Sequence, residues 1–332
     1  MVSGEIEGAK FTLAIPDPWN RNVLFLAHGY RPPTAALSAD VPLEDPACAR
    51  LISGGWMIAV TSYRRNGMIV RDAIADINAL RAHIESTESP PGLVILLGES
   101  MGGAIVTLIA ENGPGRFHGA VAVGASLDVR EESGPVMFDH APQIPLLFLS
   151  NQSESAGPEN YVAAAVSAPV PPAHWIVARD GHVNVNAAER SVAIDGLITW
   201  ITTGEIERSR DATVATSAGS PAVSFSGNAA HGAVQSITET YGNIFTSFRT
   251  EDLAAIGLKR GDDFDLEAGG KTFRVRYGSD YGDVPHGAWI AFERAEGVIL
   301  IARNSENAAA TAGVSHGEAL TIRPLSPHSG PE

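Results

Sequence analysis

A single cysteine, Cys48, in 332 residues leaves no partner for an internal disulfide, and no Cys/His cluster has the spacing of a structural zinc site. Cys48 therefore reads as a small buried or half-buried residue rather than a nucleophile. Basic residues are scarce beside acidic ones, 23 against 38, and the net charge of −15 repels nucleic acid and anionic membrane surfaces. Neutral or cationic small molecules are the expected ligands, with neither nucleic acid nor membrane as partner. Long apolar runs are also missing: none approaches the roughly 18 residues of a membrane span. The opening Met-Val-Ser-Gly-Glu-Ile-Glu-Gly lacks the basic and then apolar regions of a secretory leader, so a cytoplasmic location is expected. What is present, 44% hydrophobic and 18% charged residues, suits a globular protein of two domains with a real core.

The most informative stretch is Gly92 to Ala104: an apolar run, then Gly98-Glu99-Ser100-Met101-Gly102, then an apolar helix-like segment. A strand buried on both faces must turn sharply where it ends. Glycines on either side let Ser100 occupy a strained turn with neither flank blocking it. Such an elbow lifts the hydroxyl above the sheet and leaves the Met101 N–H facing a developing oxyanion.

Other chemistry-bearing residues fall at strand ends. Asn22–Ala27 is a buried strand running into His28-Gly29-Tyr30. A His-Gly pair at that place supplies the second oxyanion donor, assigned to the Tyr30 N–H with Arg31 as the neighbouring alternative, while His28 itself shapes the loop. The strand Trp56–Thr61 ends at Tyr63 and Arg64, which become candidates to line the site because ligands bind beyond strand carboxyl ends; the competing reading pairs Arg64 and Arg65 with surface carboxylates. Ile74, Ile77, Leu80 and Ile84 mark a crossover helix over 72–84 whose charges form a solvated face. The helix behind the elbow is expected to stop at Gly113-Pro114-Gly115. The segment Val129–Pro142 leaves room only for a small flap, so the site should be open. Leu146–Leu149 is a strand followed by Glu154, the assigned orienting acid; Asp128, after the preceding strand, holds the alternative position. Ala173–Ala178 reads as the last strand, followed by Gly181-His182, where a general base belongs, and by a closing helix near 195–202. The Gly/Ser/Ala/Thr-rich stretch 204–232 reads as a linker.

From Asn22 to about Thr203, on His28-Gly29, Gly98-Glu99-Ser100-Met101-Gly102-Gly103, Glu154 and Gly181-His182, the chain resembles the α/β-hydrolase superfamily. The resemblance implies an eight-stranded, mostly parallel sheet and an acyl-enzyme mechanism. From about Val234 to Ile322, on Ile237–Ser247, Leu253–Gly261, Tyr281-Gly282-Asp283-Val284-Pro285 and Leu300–Asn304, it resembles the C-terminal β-barrel-like domain of S-adenosyl-L-methionine hydroxide adenosyltransferases and fluorinases. That likeness implies an adenosine pocket around Asn243, Tyr281, Arg303 and Ser305. Thr238 and Glu293-Arg294 depart from the family's pattern, and the family's N-terminal half is replaced, so no adenosyl transfer is expected.

The expected organisation is a hydrolase domain over 1–203, a linker over 204–232, a β-rich domain over 233–323 and a flexible tail over 324–332. The expected activity is a serine carboxylester hydrolase with Ser100 as nucleophile, His182 as base, Glu154 as acid partner and Tyr30 and Met101 as the oxyanion hole, acting on a small-molecule ester without metal or organic cofactor. The second domain serves as cap, specificity wall or homo-oligomer contact. A lactonase, a thioesterase or a peptidase would use the same triad, and a noncatalytic module holding an adenosine-like ligand is the alternative outside enzymes.

Overall fold

Apolar runs too short for helices build the first unit's sheet. The computed structural model describes residues 1–112, 115–215, 223–238, 241–295 and 297–325, in two compact units, Met1–Val214 and Ala215–Glu332. The first unit runs β1 (Val2–Ile6), β2 (Ala9–Ala14), β3 (Val23–Ala27), α1 (Pro46–Ser53), β4 (Met57–Thr61), α2 (Val70–Thr87), β5 (Val94–Glu99), α3 (Met101–Glu111) and β6 (Gly119–Val123). A two-stranded ribbon, β7 (Arg130–Glu131) and β8 (Gly134–Pro135), precedes β9 (Leu146–Asn151), α4 (Ala156–Ala164), β10 (Ala173–Val177), α5 (Ala187–Thr203) and β11 (Ser209–Asp211).

Nine of these strands form one sheet in the order β1-β2-β4-β3-β5-β6-β9-β10-β11. The pairs β1/β2 and β2/β4 are antiparallel, and every pair from β4 to β11 is parallel. The central strands are buried on both faces and therefore read as unbroken apolar runs. On one face Ile77, Leu80 and Ile84 of α2 and Ile105, Val106 and Ile109 of α3 cover the sheet. On the other face Leu51 of α1 and Ile194, Leu197 and Trp200 of α5 do so. The strand order reverses between β3 and β5, and a crevice opens where such a reversal occurs. His28 and Ser100 follow those two strands.

Several expectations need correction. The sheet has nine strands, not eight, and β10 is not its last: β11 lies within the stretch read as a linker, as do β12 (Ser224–Ser226) and the start of β13 (Ala229–Ile237). Ser209-Arg210-Asp211 has no apolar pattern to betray a strand. Its backbone pairs with β10, Trp175 Nε1 donates to Glu207 O at 2.7 Å, and Arg208 and Arg210 stack on Trp200 and Trp175, contacts that are invisible to periodicity. Helix α2 is longer than 72–84, and its charges are not all solvated. Asp76 and Arg81 are buried, Asp76 because it accepts from both the backbone N–H and the guanidinium of Arg64. Helix α3 ends at Glu111 with Asn112 as C-cap; Gly113 and Pro114 of the expected stop lie outside the described residues.

The second unit closes on itself. Strands β13, β14 (Ile244–Thr246), β18 (Ile299–Arg303), β17 (Trp289–Glu293), β16 (Lys271–Tyr277), β15 (Asp263–Ala268) and β19 (Ala319–Pro324) pair in that order, and β13 pairs with β19 to complete a seven-stranded barrel. Phe248, Phe264, Leu266, Val275, Ile301 and Ile322 fill its core, with α6 (Thr250–Ala255) and α7 (Ala308–Ala312) beside it. Asn243 Nδ2 donates to the Tyr281 hydroxyl at 2.8 Å, and Tyr281 packs edge-on against buried Phe292. Arg303 donates to Gly287 O and Thr311, and Ser305 Oγ to Asn304 Oδ1. Of the expected tail, Pro324 belongs to β19, and residues 326–332 lie outside the described residues.

Candidate active site

Ser100 follows β5 with φ 58° and ψ −117°, a region that costs a non-glycine residue about 1–3 kcal/mol. Its surroundings hold it there: Ser100 N–H donates to Val123 O at 3.0 Å, and Ser100 O accepts from Gly103 and Ser126 N–H groups. The flanking glycines are sterically required. A Cβ on Gly98 would lie 2.1 Å from Gly102 O, and one on Gly102 would lie 1.9 Å from Ala27 O. Because both obstacles are backbone, Gly102→Ala is expected to cost about 3 kcal/mol, at the upper end for overpacking. A urea-unfolding midpoint equal to that of the unsubstituted protein would refute it.

The Ser100 hydroxyl lies 2.8 Å from His182 Nε2, and His182 Nδ1 lies 2.6 Å from Glu154 Oε2. The other Glu154 oxygen, Oε1, accepts from Val183 N–H at 3.2 Å. With the carboxylate on Nδ1, the tautomer carries its proton there and presents the Nε2 lone pair to the hydroxyl. Each partner is fixed by its element. Glu154 closes a short 3₁₀ turn after β9. The His182 loop is clamped by Gly181 N–H on Ser153 Oγ and by two bonds between Asn151 and Asn184. Helix α5 then starts on a capping box in which Asn186 and Glu189 exchange bonds. Val183 has φ 51°, an outlier for a β-branched residue. Gly124 cannot be larger, since its Cβ would meet Glu154 Oε1 and Val183 Cγ2 at 2.8 Å.

Asp128 is exposed, and the carboxylate on His182 is Glu154. The backbone at Gly29 passes beside the nucleophile, its ideal Cβ position lying 3.2 Å from Ser100 Cβ, which puts the His28-Gly29-Tyr30 turn next to the elbow. Met101 opens α3, so its N–H is among the first four of the helix, which have no intrahelical acceptor. His28 is a structural residue: its ring stacks on Tyr63 at 4.0 Å, and Nδ1–H donates to Gly29 O at 2.7 Å. Burial, with Arg31 nearby, lowers its pKa to about 4, so the ring is neutral at pH 7.

Tyr63 and Arg64 do not line the site. Tyr63 is fully buried beneath His28, its hydroxyl donating to His28 O, and Arg64 is committed to Asp76. Arg65 binds Asp72 at 2.7 Å. Cys48 is buried, and its thiol pKa is pushed up to about 12 by burial first and Asp45 second, which leaves no thiolate at neutral pH. A second serine–histidine pair, Ser150 Oγ and His174 Nε2 at 2.6 Å, spans β9 and β10 inside the structure. Both residues are buried, so this pair is internal packing that an incoming substrate does not reach. Among the described residues no group of three or more His, Cys, Asp or Glu side chains is arranged to hold a metal, and no helix is long and apolar enough to cross a membrane.

A cavity of about 520 Å³ lies beside His182 and Glu154, walled by Ser126, Leu127, Phe138, His140 and Tyr161. Sequence reasoning missed these residues apart from placing a flap at 129–142. Ser126 Oγ also lies 3.4 Å from Ser100 Oγ.

Residues 66–168 match the family model described as serine aminopeptidase, S33, a span that holds Ser100 and Glu154 and ends before His182. The first unit is an α/β hydrolase. Residues 232–321 match the model of the S-adenosyl-L-methionine hydroxide adenosyltransferase C-terminal domain. Similar solved structures include an uncharacterized conserved protein from Thermotoga maritima, 21% identical over 37% of this chain and 47% of that one, with a TM-score of 0.30. Dipeptidyl peptidase 4 of Porphyromonas gingivalis is 16% identical over 51% of this chain and 29% of its own, with a TM-score of 0.41. The fluorophosphonate-binding serine hydrolase F of Staphylococcus aureus is 11% identical over 61% of this chain and 97% of its own, with a TM-score of 0.44. The chain thus spans under half the length of the first two. A search of curated proteins gave no match.

Proposed function

We propose that the hydrolase unit is a serine carboxylester hydrolase working through an acyl-enzyme. The observation that carries this reading is the hydrogen-bonded chain Ser100–His182–Glu154 on three separate strand ends. His182 Nε2 takes the Ser100 proton as Oγ attacks the acyl carbonyl, and the oxyanion is received by the Tyr30 and Met101 N–H groups. The imidazolium, stabilised by Glu154, gives its proton to the leaving alkoxide as the C–O bond breaks. Water then attacks the acyl-enzyme with His182 again as base, releasing acid and restoring Ser100.

The serine aminopeptidase model favours a second reading, cleavage of an N-terminal peptide bond by the same steps. A panel of acyl esters and aminoacyl anilides, run beside fluorophosphonate labelling, separates the two. Turnover of esters and not anilides supports the esterase; the reverse supports the peptidase. Absence of Ser100 labelling would overturn both.

The second unit is proposed to act as cap, specificity wall or oligomer contact for the hydrolase. Both hydrophobic cores of the hydrolase unit are built from residues between Phe11 and Ala212. A chain cut after Val214 therefore keeps β11 and is expected to fold and label. The proposal expects it to lose discrimination between small and bulky esters or to change its mass by light scattering. Both quantities unchanged would make the second unit an independent appendage.

A further inference from the structure

Helix α3 ends on a carboxylate. Glu111 is its last residue, with no basic residue in the last turn, and a negative charge at a helix C-terminus opposes the helix dipole. The compensation is local. Glu111 Oε1 accepts from His140 N–H at 2.7 Å and from the Tyr161 hydroxyl at 2.6 Å, and Oε2 accepts from Asp139 N–H at 3.1 Å. Two of the three donors are backbone groups of the flap where it returns toward β9.

The bond to His140 falls on a strained residue. His140 has φ 55°, a left-handed conformation that persists in a non-glycine residue only when its surroundings over-determine it. In that conformation its ring packs against Tyr161 at 4.8 Å, and Phe138 meets the same tyrosine edge-on at 6.2 Å. All three side chains line the same cavity as His182 and Glu154. Strain of this kind gathers at ligand-contacting positions, and a half-buried flap with two aromatic rings facing a cavity is matched to an apolar or aromatic group.

We infer that Glu111 is a positioning residue that fixes the return arm of the flap, so that Phe138, His140 and Tyr161 form the recognition wall for an apolar chain or ring of the substrate. This rests on the esterase reading. The apolar group can belong to the acyl or to the alcohol half of the ester, and the two halves are varied separately.

The test uses the full chain and two substitutions, Glu111→Gln and His140→Gly. The first weakens the anchor; the second accepts φ 55° without strain but removes the ring. Each variant is titrated with a small fluorophosphonate, and kcat and KM per labelled site are measured on acetyl against phenylacetyl esters of one alcohol, then on methyl against benzyl esters of one acid. The expected result is a roughly tenfold loss of preference for the larger group in one of the two series, carried by KM of the larger ester rather than by kcat. A change in the first series assigns the wall to the acyl half, and one in the second to the alcohol half. Unchanged preference in both series overturns the inference, and if Glu111→Gln fails to fold, His140→Gly decides alone. Failure of the unsubstituted chain to turn over any ester would instead remove the reading beneath it.

Discussion

Ser100→Ala is expected to lower ester turnover by about 10,000-fold or more and to abolish fluorophosphonate labelling, since removing the nucleophile of a triad leaves only what binding and the oxyanion donors supply. The fold should survive, because the strained backbone at position 100 is held by bonds of its N–H and C=O groups, which alanine keeps. Circular dichroism and the thermal midpoint check that point while turnover is measured. Near-normal turnover in a folded variant would remove Ser100 from the reaction and with it the whole reading of the site.

Glu154→Gln should cost about 1,000- to 10,000-fold in kcat, because an amide can present its NH₂ group to Nδ1, favour the wrong tautomer and leave the imidazolium uncompensated. Asp128→Asn should change kcat/KM by no more than about twofold, the usual range for an exposed position. The two are asymmetric by geometry: one Glu154 oxygen lies 2.6 Å from the ring and the other accepts from Val183 N–H, whereas Asp128 is an exposed residue of the cavity lining. Kinetics showing a larger loss for Asp128→Asn would transfer the orienting role to that residue.

Much of the hydrolase unit was legible in its sequence because the informative residues are local. Gly98 and Gly102 mark the elbow, apolar runs mark strands buried on both faces, and Glu154 and His182 each follow such a run at a strand end. What escaped was non-local or polar. β11 is held by rings stacked under arginines and by pairing with β10, neither of which leaves an apolar period. The first hairpin, of exposed β1 and alternating β2, preceded the stretch on which the resemblance rested. Tyr63 and Arg64 stand where site residues often do, but the choice between lining a crevice and packing beneath it depends on His28 and Asp76, which belong to other elements. Glu111 gave no signal, since its meaning comes from donors at positions 139, 140 and 161.

The closure of the second unit bears on how such a chain could arise. Ala230 of β13 stands opposite Ile322 of β19, so the barrel's first and last long strands are neighbours and its two ends leave from one seam. A module with adjacent ends can be joined to, or inserted into, an unrelated polypeptide without its own pairing being disturbed. The matched span 232–321 begins on β13 and ends on β19, so it takes in that seam. The seam also makes the barrel a good subject for circular permutation, with Ala229 and Pro324 bridged by a short polar loop and new ends opened at the Gly269-Gly270 hairpin between β15 and β16.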